Sequence, residues 1–114
     1  MSVAAAQAAA FFAEVKDEAA VWAIKDENGF PAPLNQDGAR AMPFWSKESR
    51  ALRIIQSVQA YSGFSTHRLT LDEFQTRWLP GLSRDGLLVG LNWSGVSATG
   101  YDHSADEVLA RLIT

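Results

Sequence analysis

The stretch Leu87-Leu88-Val89-Gly90-Leu91-Asn92-Trp93 governs the fold of this chain. It is apolar at nearly every position, so it reads as a strand covered on both faces and therefore central in its sheet. Gly90 within it marks a point where a helix or a ligand comes close to the backbone. Downstream, Ser94-Gly95 opens a turn, and Ala98 to Asp102 returns as the partner strand. Upstream, Arg84-Asp85-Gly86 forms a turn. Pro80 and Gly81 close the helix before it, because an interior proline loses a backbone bond and clashes with the preceding turn. Irregular structure is thus expected from Leu79 to Gly86.

Further out, helix starts are written in the sequence. Thr70-Leu71-Asp72-Glu73 is a capping box, with Leu69 and Phe74 placed to meet as a hydrophobic staple. Leu71, Phe74 and Trp78 share the buried face of that helix, and Thr66 to Leu69 forms the strand leading into it. Ser104-Ala105-Asp106-Glu107 is a second capping box opening a last helix to about Ile113, with Val108, Leu109 and Leu112 inward. At the other end, Ala8, Phe11, Phe12 and Val15 fall at i, i+3, i+4 and i+7, which predicts a helix over Ala4 to Ala19. Val21 to Lys25 reads as a strand. Asn28-Gly29 follows as a hairpin turn, with Phe30 starting a return strand that Pro31 and Pro33 restrict to an edge. Asn35-Gln36-Asp37-Gly38 is another turn before a short strand, Ala41 to Trp45. Ser46 then caps a helix reaching about Val58, whose buried stripe is Ala51, Ile54, Ile55 and Val58. Lys47, Arg50 and Arg53 lie toward its exposed side. These elements assemble into a single α+β domain over residues 1–114, a mixed β-sheet with about four helices packed on it.

Composition narrows the function classes. The chain has 114 residues, 47% of them hydrophobic, enough for one core without staples. There is no cysteine, which excludes a disulfide framework, a thiolate metal site and a cysteine nucleophile. Lys+Arg 10 against Asp+Glu 13 gives a net charge of -3, a poor balance for nucleic-acid binding. Met1 to Ala10 lacks the basic start of a signal peptide, and the apolar run to Val15 is interrupted by Gln7 and Glu14. No membrane association and a cytoplasmic location are expected.

Motif chemistry is sparse. Gly95-Val96-Ser97-Ala98-Thr99-Gly100 has the glycine spacing of a phosphate loop, but Tyr101 and Asp102 stand where lysine and a hydroxyl residue belong, so it reads as a hairpin turn. No Gly-x-Ser-x-Gly elbow accompanies Ser83, Ser94 or Ser97. His103 sits beside Asp102, Asp106 and Glu107, yet helix capping explains those acids without a metal, and His67 lies on a separate strand. No catalytic residue, metal site or cofactor is assigned. The four tryptophans, Trp22, Trp45, Trp78 and Trp93, are the unusual feature. Their plain role is core packing. The sharper reading places a ligand- or partner-binding surface at Trp45, where Ser46 and free helix-start N–H groups meet Arg50 one turn on and Arg40 just upstream. Against it stands a buried Trp45 with Arg40 and Arg50 merely solvated.

Two blocks of sequence carry a resemblance. Val21-Trp22 with Asn28-Gly29-Phe30-Pro31-Ala32-Pro33 and Pro43-Phe44-Trp45-Ser46 forms the first. Phe74-x-x-x-Trp78-Leu79-Pro80-Gly81-Leu82, running on through Asp85-Gly86 to Trp93, forms the second. Together, over roughly Phe11 to Leu109, the chain resembles the bacterial family of domain of unknown function 2750. The resemblance implies a small bacterial cytosolic protein and brings no catalytic residues with it. The function expected from the residues is a non-catalytic binding or interaction module, with another bacterial protein as partner. The alternative is a small-ligand binder or minor enzyme acting on an anionic substrate near Trp45 and Arg50.

Overall fold

The central strand β4 (Leu88–Ser94) lies parallel to β2 (Ala41–Phe44) on one side and antiparallel to β5 (Thr99–Ser104) on the other. The structure, a computed structural model, describes residues 2–114. A second, two-stranded sheet pairs β1 (Ala20–Lys25) antiparallel with β3 (Ser65–Thr70). The Trp22–Trp45 bridge joins the sheets. The N–H groups of Trp22 and Trp45 each donate to the other's carbonyl at 2.8 Å, so the strands form one layer in the order β3-β1-β2-β4-β5.

Strand alternation sends side chains to two faces of this layer. Val21, Ala23, Phe44, Val89 and Leu91 point to one face. There α1 (Val3–Glu18) contributes Phe11 and Val15, and α4 (Ala105–Leu112) contributes Val108. A third helix, α3, covers the same face with Phe74, Leu79 and Leu82. It runs over residues 71–84 as Leu71–Glu73, a π-helical segment Phe74–Trp78, and Leu79–Arg84. Ile24, Ala41, Trp45 and Trp93 point to the opposite face, which α2 (Glu48–Ser57) covers with Ala51 and Ile54. A short 3₁₀ turn, Gln59–Tyr61, follows α2. The two apolar clusters are thus the two sides of one layer.

Three expectations change. The segment from Leu79 to Gly86 is helical as far as Arg84, despite Pro80. The Leu79 N–H donates to the Phe74 carbonyl five residues back, and this wider turn admits the proline ring at the start of the following α-segment. Phe30 begins no return strand: the hairpin stops at the Asp26–Gly29 bridge. Pro31 and Pro33 lack the donors a ladder needs, and the Pro33 carbonyl accepts from the Ala41 N–H instead. Ser46 does not cap α2, whose N-cap is Lys47 without a side-chain cap bond.

Gly90 is also explained differently. Asn92 has φ +49, and the β4–β5 register shifts between Leu91 and Ser94. The bulge reverses the alternation, so Trp93 turns to the α2 face and not to the face of Leu91. Its indole then lies against Gly90, where an added Cβ would stand 2.4 Å from the ring. The close approach comes from the strand's own tryptophan. Of the capping boxes, that of Thr70 and Glu73 is complete. Ser104 Oγ accepts from the Glu107 N–H at 3.1 Å, while the Glu107 carboxylate turns to His103 Nδ1. Among the described residues, no helix is long and apolar enough to cross a membrane.

Candidate functional site

Where β2 ends, the chain buries two residues in succession. Trp45 is fully covered, and its Nε1–H donates to the Trp93 carbonyl at 2.9 Å. Ser46 is equally buried, so its polar atoms need internal partners. Asn92, held at the bulge, supplies them: its Oδ1 accepts from the Ser46 N–H at 2.9 Å, and its Nδ2 donates to Ser46 Oγ at 2.9 Å. Asn92 Nδ2 also donates to the Gln7 carbonyl at 3.1 Å, which ties the bulge to α1. Ser46 Oγ in turn donates to Glu14 Oε1 at 2.6 Å.

Glu14 is the partner of Arg50. The guanidinium donates from Nε and Nη2 to the two carboxylate oxygens at 2.9 Å each, and from Nη1 to Gln7 Oε1 at 2.7 Å. About a quarter of each ion-pair side chain is exposed. The hydrogen bonds from Arg50 hold the Glu14 carboxyl below its ordinary range, outweighing the opposing effect of burial, with Ser46 and the Lys47 charge assisting. The cluster is a neutral, closed network joining α1, α2 and β4. Among the described residues, no buried side-chain polar atom lacks a partner.

The structure therefore brings together three of the residues singled out by the sequence, Trp45, Ser46 and Arg50. Arg40 lies at the other end of β2, where its Nη1 donates to the Ala32 carbonyl at 2.9 Å. Arg50 is not a solvated side chain on the open face of α2; Glu14 has it in a two-pronged grip. Gln7, Glu14 and Asn92 were not assigned to the site by sequence reasoning. Each left a trace nonetheless, as a polar residue interrupting an apolar run.

Beside the network, a cleft of about 200 Å³ opens between α2 and the β4–β5 turn. Arg53, Ile54 and Ser57 form one wall, Gly95 and Val96 the other, and the tryptophan pair lies at its floor. Val96 is 83% exposed at the rim, and Arg53 makes no ion pair among the described residues. The phosphate-loop-like run from Gly95 is the turn itself, and Asp102 has structural work: it accepts from Trp93 Nε1 at 2.9 Å and Asn35 Nδ2 at 3.1 Å. Among the described residues, no group of three or more His, Cys, Asp or Glu is placed to hold a metal.

The profile of a family described as "protein of unknown function (DUF2750)" matches residues 8–112. The chain belongs to that family. In this DUF2750 protein the match takes in Glu14, Trp45, Ser46, Arg50, Asn92 and the whole cleft except Gln7, which lies one residue before it. Comparison with curated proteins and with solved structures finds no match.

Proposed function

We propose that this DUF2750 protein works by binding, and that its contact surface is the cleft between α2 and the β4–β5 turn. The observation that carries this reading is the cleft's size and lining taken together. At about 200 Å³ it falls below the roughly 300–1,000 Å³ of pockets that enclose drug-sized ligands, but it suits a single side chain from a partner protein. Val96 stands exposed at its edge, on a turn between two strands of a rigid layer, a common position for a recognition contact. The closed network beneath fixes the wall that Arg50 helps to form.

A photo-crosslinking residue at Val96, with the same residue at the exposed Thr76 on the other side of the layer as control, tests the reading. A protein adduct formed from position 96 and not from position 76 supports it; adducts from both positions alike, or from neither, overturn it. The second reading, a site for a small anionic ligand, is favoured by Arg50 and Arg53 in the same lining. It expects carboxylate or phosphate metabolites to raise the melting temperature, and Arg53→Gln to remove that rise.

A further inference from the structure

We propose that the segment received by this cleft is acidic: a leucine-sized apolar side chain flanked by carboxylates, presented by a partner protein. This rests on the reading of the cleft as the binding surface. The chain as a whole carries 13 acidic against 10 basic residues, yet the cleft is lined by two arginines and no carboxylate. The two arginines have different parts. Arg50 has Nε, Nη1 and Nη2 engaged by Glu14 and Gln7, so its charge is compensated from behind. Arg53 is exposed and unpaired among the described residues, and it gives the cleft an uncompensated positive charge.

Spacing sets what sits next to that charge. Arg50, Arg53, Ile54 and Ser57 fall at i, i+3, i+4 and i+7, one stripe along α2. The cation of Arg53 is therefore adjacent to the cleft's apolar lining, in which Ile54 is almost fully buried and Val96 stands exposed at the rim. A ligand that satisfies both must place a carboxylate within a residue or so of an apolar side chain, and an acidic peptide segment does so. Guanidinium–carboxylate pairing adds geometric selectivity to the contact.

The test is a titration of the ¹⁵N-labelled full chain with three capped tripeptides: acetyl-Glu-Leu-Asp-amide, acetyl-Gln-Leu-Asn-amide and acetyl-Glu-Gly-Asp-amide. The first is expected to move the Trp93 indole N–H signal and the amide signals of Arg53 and Val96. The neutral peptide should bind about two- to fivefold more weakly, the range an exposed charge pair supplies, and the glycine peptide about tenfold more weakly. Arg53→Gln should leave the melt unchanged and bring the acidic peptide to the level of the neutral one. Equal binding of the acidic and neutral leucine peptides overturns the acidic assignment while leaving the cleft as a binding surface. Inorganic phosphate moving the same signals as strongly as the acidic peptide also overturns it. If none of the three peptides moves the cleft signals, the cleft reading and the acidic assignment fall together.

Discussion

The contact of one arginine and one glutamate ties the first helix to the second. Arg50→Ala leaves the Glu14 carboxylate with Ser46 Oγ as its remaining partner in a site only about a quarter exposed, and is expected to cost about 1–2 kcal/mol at neutral pH. Arg50→Lys should recover only part of this, since an ammonium cannot reproduce the two-pronged bond. The pH dependence has a definite sign. The folded-state pKa of Glu14 lies below its ordinary 4.5, so its contribution is complete above that value and is lost as pH falls through the folded pKa. Urea melts at pH 7 and below pH 4 should therefore show the difference between wild type and Arg50→Ala shrinking in acid; a difference that grew in acid would contradict the assignment. At Gly90 the expected effect has another origin. Gly90→Ala would put a methyl group into the Trp93 indole and should cost about 1–3 kcal/mol, with a change in near-ultraviolet circular dichroism. That a glycine was needed at 90 is legible in the sequence. What it makes room for is not, because that depends on Asn92 adopting positive φ and turning Trp93 across the strand.

Elements differ in how local their causes are. Thr70→Ala removes a side-chain cap whose bonds all lie within four residues, and should cost about 1 kcal/mol. Leu91→Ala opens a cavity beneath α1 in the fully buried centre of β4, and should cost roughly 2–5 kcal/mol. Denaturant melts that reversed this order would refute the central position of β4. Both assignments are readable from the sequence, since a capping box and an unbroken apolar run are short-range patterns. Ser46 shows why others are not. Its type suits a helix cap, but its neighbours in space, Glu14 and Asn92, are 32 and 46 residues away in sequence, and they turn the hydroxyl inward. Pro80 misleads for a related reason. Its effect on a regular α-helix is local, whereas the π-helical turn before it belongs to a helix held by Phe74 and Leu79 against the layer. Trp45, Ser46 and Arg50 were legible as near neighbours because they lie within six residues of one another. Gln7 and Glu14 arrive instead from α1 and Asn92 from β4, and Arg40 lies at the other end of β2.

At the scale of the whole molecule, the two apolar clusters raise the question of how many units unfold. They lie on opposite faces of strands that contribute to both: β1 sends Val21 to one side and Ile24 to the other, and β4 sends Leu91 and Trp93 apart. Losing either cluster strips cover from strands whose other face is still packed. The Trp22–Trp45 bridge carries the coupling between the two sheets, and the Glu14–Arg50 pair carries it between helices on either side. We propose that the described residues 2–114 unfold as one unit, in a single cooperative transition. The two faces have separate reporters. Tryptophan fluorescence is weighted toward the α2 face through Trp22, Trp45 and Trp93, while far-ultraviolet circular dichroism is weighted toward the other, where α1, α3 and α4 lie. The expected outcome is that both signals trace the same urea midpoint and the same slope. A fluorescence transition completed before the helical signal changes would mean that the α2 side opens alone, and the single-domain assignment would then give way to two units sharing a layer.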